Sequence, residues 1–463
     1  MRSCKKLLDH YSLTGWTASR RSCACQRYQF IKMASTTSSP SEPLTISKAA
    51  QSVPENVWVK SVKLVQEYKP VNLGQGFPDF PEIVPKRLRK NLCATQADDA
   101  PVHYNQYARG QGQNDLVREL ALLYSPLMGR TIDPMSEILV TVGAYESLHC
   151  AVHAVTNPGD EVILIEPYFD SYGETVRVIG ATARNVPLKL KKGGKSSKDF
   201  VLDKEELRNA FNEKTKCIIV NTPHNPTGKM FDQEEIEFIA DLCKKHNVLY
   251  ISDEVYEWLH YENKHVRVAS LPGMWERTIT ICSAGKTFNA TGFKTGWALG
   301  PKYLISAAMG IHQGIIYTVP TPLQIALAET IKEERALIGT DESYWKFLNE
   351  TMTKKREEMF QLATEAGLNP IKPDGGYFMV MDLSNLDFEP PVESKDVYDQ
   401  RFCEWLVKEK GIAAIPISAF FSKNHKEEFQ RFVRFCFIKG DSTMQQAAEK
   451  LRQLNIKNSD SKL

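Results

Sequence analysis

Short apolar runs alternate with helix-like segments between about residues 137 and 282, and this alternation constrains the fold more than any other feature of the chain. The runs contain many β-branched residues, which favour strands. They lie at 138–142, 161–165, 217–221, 249–252 and 278–282. Helices are predicted at 146–155 and at 232–246, where Asp232 is the candidate N-cap. Buried strands joined by helices predict an α/β fold with a mainly parallel sheet and helices on both faces.

The C-terminal part has a different pattern, with a charged helix at about 344–366 followed by strands at 377–383 and 431–437. This order indicates a smaller α+β domain, and 463 residues suffice for one large or two medium domains. The predicted divisions are a leader at 1–39, an N-terminal arm joining the small domain at 40–75, a large domain at 76–335, a small domain at 336–457 and a tail at 458–463.

Composition excludes several classes of protein. A net charge of +2 offers no strong field to nucleic acid, and no apolar run is long enough to span a bilayer, so neither partner is expected. The ten cysteines are scattered and show no C-x-x-C zinc spacing. A reducing compartment and no metal site are therefore predicted.

Both ends of the chain carry sequences typical of targeting signals. Residues 1–39 contain seven basic side chains and one acid, Asp9, among frequent serines and threonines, as in a mitochondrial transit peptide. A location in the mitochondrial matrix is expected on this basis. Two alternatives stay open, a cytosolic protein that starts at Met33 and peroxisomal import through Ser461-Lys462-Leu463.

Lys286 follows the last of the predicted strands and lies among small residues in Ser283-Ala284-Gly285-Lys286-Thr287. Its primary amine can form an imine with an aldehyde. Because burial disfavours the charged form, this amine could also move a proton at the substrate Cα as general base and acid. Such a lysine at the carboxyl edge of a parallel sheet, where ligands bind, indicates covalently held pyridoxal 5′-phosphate.

A phosphate site is predicted where the helix after strand 138–142 begins. Ala144 and Tyr145 would supply free N–H groups there, and Ser283 and Lys294 would add a hydroxyl group and a positive charge. Each signal is weak by itself, since a Gly-Ala-Tyr turn is more often only a helix start and a single lysine is usually on the surface.

The ring of the cofactor has its own candidates. Asp253 could pair with a protonated pyridine nitrogen, whose charge makes the ring an electron sink, although an N-cap is the alternative for an isolated aspartate. Tyr256 and Asn225 could donate hydrogen bonds to the phenolic oxygen. Phe169 could lie flat on the ring, although an isolated phenylalanine is more often part of the core.

Arg434 alternates with large apolar residues on the predicted strand 431–437. A guanidinium can bind a substrate α-carboxylate with two parallel hydrogen bonds, which a lysine cannot match. The alternative is an arginine that faces solvent. Arg431 is three residues earlier, so if one of the two points inward the other should not.

The motifs Asn225-Pro226-x-Gly228, Asp253-x-x-Tyr256 and Ser283-x-x-Lys286, with Lys294 eight residues on, resemble those of the fold type I pyridoxal-phosphate aminotransferases. The resemblance runs from about 72 to 437. The segments Asn72-Leu73-Gly74-Gln75-Gly76-Phe77-Pro78-Asp79-Phe80 and Arg434-Phe435-Cys436-Phe437 are similar to the kynurenine aminotransferase/cysteine-conjugate β-lyase group. Tyr317-Thr318 resembles the third type within that group.

The resemblance implies a large domain with a mainly parallel seven-stranded sheet, a smaller α+β domain and a homodimer with shared active sites. It assigns catalysis to Lys286, Asp253 and Tyr256. It also implies that the Gly76 backbone, Asn225, Arg434, Trp58 and Tyr317 bind substrate. Tyr145 would lie beside the cofactor, and Tyr107 would reach the phosphate of the other subunit.

The expected reaction is transamination of L-kynurenine, giving kynurenic acid, and of other large or neutral amino acids, with 2-oxoglutarate, glyoxylate or a similar 2-oxo acid as acceptor. Secondary β-elimination from cysteine S-conjugates is also expected. Two alternatives are a protein that is primarily a β-lyase and a glutamine or aromatic aminotransferase. A non-catalytic ligand sensor is disfavoured because no helix-turn-helix precedes the fold. The preferred donor and acceptor stay open.

Overall fold

The computed structural model describes residues 44–47, 50, 57–392 and 394–454. The predicted leader at 1–39 and tail at 458–463 lie outside these residues, as do both candidate targeting signals. The described residues divide into two units, which lie within Met1–Gln51 and Ser52–Leu463. In the first unit the Ala50 N–H donates a hydrogen bond to the Ser47 carbonyl over 3.0 Å. The second unit contains the fold that carries the candidate site.

The strands of the described residues alternate with helices over the first part of this unit. In chain order the strands are β1 Val71–Asn72, β2 Ile138–Thr141, β3 Glu161–Glu166, β4 Thr182–Leu190, β5 Phe200–Leu202, β6 Thr215–Asn221, β7 Leu249–Asp253, β8 Thr278–Ser283, β9 Gly296–Leu299, β10 Asn369–Ile371, β11 Phe378–Asp382, β12 Ile412–Ala413, β13 Ile415–Pro416 and β14 Phe432–Cys436. The helices are α1 Val57–Tyr68, α2 Lys86–Ala94, α3 Asn114–Met128, α4 Ala144–His153, α5 Ser171–Ile179, α6 Lys204–Ala210, α7 Gln233–His246, α8 Ala284–Thr287, α9 Lys302–Ile315, α10 Thr321–Arg335, α11 Tyr344–Glu365, α12 Tyr398–Lys410 and α13 Asp441–Arg452.

The larger sheet has the strand order β2-β9-β8-β7-β6-β3-β4-β5 over the described residues. Strands β8, β7, β6, β3 and β4 pair in parallel, whereas β9 and β5 run antiparallel to their neighbours. The mainly parallel α/β fold is therefore confirmed. The expected number of seven strands is wrong by one, because β5 adds a three-residue edge strand in which Leu202 pairs with Leu188. Such a short strand leaves no periodic pattern in the sequence.

Helices cover both faces of this sheet, as the alternation of strands and helices predicts. Adjacent residues of a strand face opposite sides. Ile219 packs in the cluster that includes Leu148 of α4 and Leu304 of α9, whereas Ile218 packs with Ile236 of α7. The predicted cap of α7 is confirmed, since the Asp232 side chain accepts a hydrogen bond from the N–H of Glu235 over 2.8 Å.

The second sheet lies in the C-terminal part and has the order β10-β11-β14-β13, with antiparallel pairing throughout. The long helix α11 precedes it, as predicted. Strand β1 pairs with β12 through Val71 and Ile412, so the segment just after α1 is tied to the C-terminal part. The proposed domain boundaries stay a prediction. Within the described ranges, no helix combines the length and apolar character needed to cross a membrane.

Candidate active site

A cavity of about 280 Å³ lies where β6, β7 and β8 end and α4 begins. This is the edge at which open α/β sheets bind ligands. Of the fourteen residues singled out from the sequence, the cavity brings together twelve: Trp58, Gly76, Ala144, Tyr145, Phe169, Asn225, Asp253, Tyr256, Ser283, Lys286, Lys294 and Arg434. The remaining two, Tyr107 and Tyr317, do not line it.

Lys286 lies in the short helix α8, one turn beyond β8, and its side chain ends inside the cavity. Its amine donates hydrogen bonds to the Tyr377 hydroxyl over 2.5 Å and to the Gly76 carbonyl over 3.3 Å. Burial lowers the pKa of Lys286 from 10.5 to about 8, because the charged ammonium loses its water. In a fraction of the molecules the Lys286 amine is therefore neutral near physiological pH, and the neutral form is the one that acts as nucleophile and base.

Asp253 is the last residue of β7 and is buried. Tyr172 donates a short hydrogen bond to its carboxylate, and the Val255 N–H donates another over 3.3 Å. Burial raises the pKa of Asp253 to about 6, because the two hydrogen bonds and the nearby charge of Lys286 offset the loss of water only in part. The alternative of a helix N-cap is wrong, because the following residues form a turn.

The opposite end of the cavity suits an anion. Helix α4 begins at Ala144, and the first N–H groups of a helix have no acceptor within it. A Cβ added to Gly143 would lie 3.6 Å from the Lys294 amine, which places this cation beside the helix start. A Cβ at Gly296 would lie only 2.5 Å from the Ala144 nitrogen, so a glycine there lets β9 approach the helix.

Arg434 lies on β14 and is 1% exposed. Its Nη1 donates to the Asn225 side-chain oxygen over 2.6 Å and its Nη2 to the Gly74 carbonyl over 3.0 Å, while its buried Nε has no partner in the described residues. Burial lowers the pKa of Arg434 to about 10, so it stays a cation at neutral pH. Arg431 instead lies 3.6 Å from the centre of the Tyr398 ring, so the predicted opposition of the two arginines is confirmed.

Aromatic rings form much of the remaining cavity wall. Trp58 comes from α1 and donates a hydrogen bond from its indole to Asp170 over 2.8 Å. The Arg434 guanidinium lies 3.8 Å from the centre of the Phe378 ring and 5.6 Å from that of Trp58. Tyr145 and Phe169 meet edge to face at 6.3 Å. The wall of the cavity near Arg434 is therefore largely aromatic.

Tyr256 and Asn225 occupy the turns after β7 and β6. Tyr256 is buried, and its ring meets that of Tyr377 edge to face at 5.1 Å. Burial raises the pKa of the Tyr256 hydroxyl above its usual value, so it stays protonated and able to donate. The Asn225 N–H donates to the Asn221 side chain over 2.7 Å, which fixes the turn that carries it.

Tyr107 and Tyr317 lie outside this cavity and contact each other, with ring centres 5.6 Å apart. They are 83% and 53% exposed. The role expected of Tyr107 toward the cofactor depends on a second subunit. The roles of both residues stay predictions.

Several residues that the sequence did not reveal contribute to the site. Tyr172 supports Asp253, Tyr377 contacts Lys286, and Phe378 packs against Arg434. The pair of glycines at Gly375-Gly376, just before two aromatic residues at the start of β11, was the available signal for Tyr377 and Phe378.

Beneath the site, a buried ionic network supports the turn from Asp253 to Tyr256. Arg267 contacts Glu254 at 2.7 Å and Glu257 at 2.5 Å, and both carboxylates are fully buried. The Tyr124 hydroxyl donates to Glu257 over 2.5 Å. This network ties the turn to helix α3.

The sequence of the chain is similar to those of known aminotransferases. The family model for aminotransferase class I and II matches residues 68–451. The chain is 46% identical over 430 residues to kynurenine–oxoglutarate transaminase 3 of Homo sapiens, covering 92% of this chain and 94% of that protein. It is 42% identical over 411 residues to human kynurenine–oxoglutarate transaminase 1, covering 87% and 96%.

Solved structures show the same architecture. Bna3p from Saccharomyces cerevisiae superposes with a TM-score of 0.82 at 31% identity, covering 89% of this chain and 99% of that one. The aspartate aminotransferase of Thermus thermophilus with maleate superposes with a TM-score of 0.76 at 28% identity, covering 89% and 99%.

Proposed function

Because the chain belongs to the class I and II aminotransferases, which use pyridoxal 5′-phosphate, we propose that it transfers the amino group of L-kynurenine and other large neutral amino acids to a 2-oxo acid. The observation that carries this proposal is Arg434, a buried guanidinium set among the rings of Trp58 and Phe378. A single α-carboxylate with a large, flat side chain fits that arrangement. The reaction would belong to tryptophan catabolism.

The residues present fit the cofactor. Asp253 offers a buried carboxylate in need of a cation, Lys286 offers an amine, and the start of α4 with Lys294 offers an anion site. These three features line one cavity, where Asp253 would pair with the ring nitrogen, Lys286 would bind the aldehyde and the start of α4 with Lys294 would hold the phosphate. When bound, pyridoxal 5′-phosphate withdraws electrons from the substrate Cα and so makes its proton acidic.

Lys286 performs the proton transfer in this proposal. Its Nζ accepts the proton from the substrate Cα, since a pKa of about 8 leaves a fraction of the amine unprotonated near neutral pH. The Tyr377 hydroxyl and the Gly76 carbonyl hold the free amine in the cavity. They restrict its position while the substrate is bound.

Arg434 orients the substrate by its α-carboxylate. Its Nη1 and Nη2 are held by Asn225 and Gly74, and its Nε has no partner in the part of the chain that the structure describes. A carboxylate in the cavity would pair with the charge of the guanidinium. The guanidinium plane then fixes which substituent of Cα faces Lys286.

The test is a panel of amino donors on purified enzyme supplied with cofactor, with each 2-oxo product measured. L-Kynurenine and phenylalanine should be turned over faster than aspartate, and kynurenine should give kynurenic acid. The Lys286→Ala variant should be inactive on every donor. Full activity of this variant, or a strict preference for aspartate, would end the proposal.

We also propose secondary β-elimination from cysteine S-conjugates. Removal of the Cα proton by Lys286 is the first step of both reactions, and a good leaving group on Cβ can then depart. Pyruvate released from a cysteine conjugate without added 2-oxo acid would measure it. A protein that is primarily a β-lyase would instead show faster elimination than transamination on equal substrate concentrations.

We propose that the enzyme is a homodimer in which Tyr107 and Tyr317 serve the partner's cavity. Their exposure, with Val102 at 77% and Ile315 at 51%, supports an apolar contact surface. Light scattering should give twice the chain mass. Mixing inactive Lys286→Ala with a Tyr107 variant should restore activity in part, because one cavity of the mixed dimer would be intact.

We propose import into the mitochondrial matrix, directed by the basic leader. Imaging the full chain, a form lacking residues 1–32 and a form lacking the last three residues separates this location from the cytosolic and peroxisomal alternatives.

A further inference from the structure

Lys439 follows β14 and is 1% exposed, although it is a lysine. Its amine donates hydrogen bonds to the Phe77 carbonyl over 2.8 Å and to the Gln75 carbonyl over 3.2 Å. It also lies 4.5 Å from the centre of the Phe77 ring. Over the described residues, no carboxylate forms an ion pair with it. The segment Gly74–Phe77 is therefore its main partner.

A buried ammonium without a counter-charge is costly, and an apolar side chain would fill the same space without that cost. Two carbonyls and an aromatic face reduce the cost but do not explain why a cation is present. The reason for a cation at this position lies in the role of the Gly74–Phe77 segment that Lys439 contacts.

Three side chains from the C-terminal part hold the carbonyls of this segment. Besides the two bonds from Lys439, Arg434 donates to the Gly74 carbonyl over 3.0 Å and Tyr377 to the Gly76 carbonyl over 3.0 Å. All four consecutive carbonyls from 74 to 77 thus accept a side-chain donor.

The N–H groups of the segment are nearly all used as well. Those of Gly74 and Gln75 donate to the Asn72 side chain over 3.1 Å, and that of Phe77 donates to the Gln75 carbonyl over 3.1 Å. Within the described residues, the Gly76 N–H is left without an acceptor. Gly76 lines the same cavity as Arg434. A cavity lined by a residue with an unpaired amide and by the Arg434 cation is suited to an anion.

We propose that Lys439 is a positioning residue for carboxylate recognition. By holding the carbonyls on both sides of Gly76, it keeps the Gly76 N–H beside Arg434, where both donate to the α-carboxylate of the substrate. Phe378 limits movement on the other side, since a Cβ at Gly76 would lie 2.5 Å from its ring. The inference rests on the proposed function only in taking the ligand to be an amino acid.

The experiment compares Lys439→Met with Lys355→Met in the enzyme supplied with cofactor. Lys355 is another buried lysine, but it pairs with Asp441 at 3.0 Å and does not contact the Gly74–Phe77 segment. Two probes are titrated by calorimetry: 3-phenylpropionate, which has a carboxylate but no amine, and 2-phenylethylamine, which has the reverse. The KM and kcat for an amino acid that the wild type turns over are measured in parallel.

Lys439→Met should weaken phenylpropionate binding at least tenfold and raise KM by a similar factor. Binding of phenylethylamine and of cofactor should change less than twofold, and kcat less than threefold. Lys355→Met should leave both affinities unchanged. Equal loss of both probes, or an unchanged affinity for phenylpropionate, overturns the inference.

If Lys439→Met does not fold, Lys439→Gln is used instead, since its shorter amide keeps N–H donors but has no charge. A loss of phenylpropionate affinity by threefold or more with phenylethylamine unaffected supports the inference. Wild-type phenylpropionate affinity in Lys439→Gln overturns it. Lys439→Arg, which restores the charge, should recover part of the lost affinity. Failure of the wild type to turn over kynurenine counts against the proposed function alone, because the phenylpropionate titration needs no turnover.

Discussion

The hydroxyl of Tyr377 lies 2.5 Å from the amine of Lys286, although the two residues are 91 positions apart in the sequence. Tyr377 immediately precedes β11 of the small sheet, whereas Lys286 follows β8 of the large sheet, so this contact joins the two parts of the fold at the reacting nitrogen. The same hydroxyl donates to the Gly76 carbonyl over 3.0 Å. The position of the amine therefore depends on the N-terminal loop and on the C-terminal sheet together.

Replacing Tyr377 with phenylalanine should lower kcat about tenfold and raise KM by a smaller factor, because the Gly76 carbonyl also loses one of its donors. The variant loses a hydrogen bond of about 1 kcal/mol that holds the free lysine, while the ring still packs on Tyr256. Exchange of the substrate Cα proton with deuterated solvent should slow by a similar factor. Tyr398→Phe is the control, because its buried hydroxyl donates to the Phe388 carbonyl over 2.8 Å, away from the cavity. Equal kcat in both variants would contradict the assigned role.

Replacing Asp253 with asparagine should stabilise the cofactor-free protein at neutral pH. The same change should weaken cofactor binding and catalysis. Burial raises the pKa of Asp253 from 3.8 to about 6, so the folded state binds this proton more tightly than the unfolded state. The aspartate therefore costs stability above pH 6, and the cost disappears as the pH falls from about 6 to below 4. The gain for the variant should be roughly 1–3 kcal/mol in urea unfolding at pH 7.

The same Asp253→Asn variant should lose cofactor affinity and kcat, since an amide cannot balance a protonated ring nitrogen. A variant that is less stable than the wild type at pH 7, or equally stabilised at pH 4, would show that the carboxylate carries no uncompensated charge.

Replacing Arg434 with lysine should raise the KM for amino acids about 10- to 100-fold. A lysine cannot keep the bonds to Asn225 and Gly74 while it contacts a carboxylate, because it lacks the planar, forked donors. Steady-state kinetics and titration with a carboxylate inhibitor measure the effect. Arg431→Lys is the matched control on the opposite face, and a comparable rise in KM there would remove the specific role of Arg434.

Replacing Arg267 with methionine should lower the free energy of unfolding by about 3–5 kcal/mol, because the buried carboxylate of Glu257 loses its arginine partner and that of Glu254 keeps only His265 at 2.7 Å. Urea unfolding followed by circular dichroism gives the value. Arg118→Met is the control, since the Arg118–Asp115 pair at 3.5 Å is largely exposed and should contribute less than about 1 kcal/mol. A loss of under 1 kcal/mol for Arg267→Met would refute the network's structural role.

Much of the fold could be predicted because parallel strands buried on both faces leave continuous apolar runs in the sequence. Strands β3, β6, β7 and β8 lie within one or two residues of the predicted runs. Strand β9 was not anticipated, since its antiparallel place between β2 and β8 follows from pairing rather than from its own four residues. The edge strand β5 was also not predicted, because its place follows from its pairing with β4 rather than from its own three residues.

The sequence by itself determined the chemistry at the strand ends, because Asp253 and Lys286 each follow a strand whose carboxyl end must reach the common edge of the sheet. It also determined that Arg431 and Arg434 face opposite ways, since side chains alternate along a strand. Only the tertiary structure decided that Arg434 is the inward one, through the pairing of β14 with β11. Tyr377 and Lys439 likewise depend on partners more than 90 residues away. The local sequence determines to which face of a strand a side chain points. The packing of the whole fold determines which distant residue it contacts.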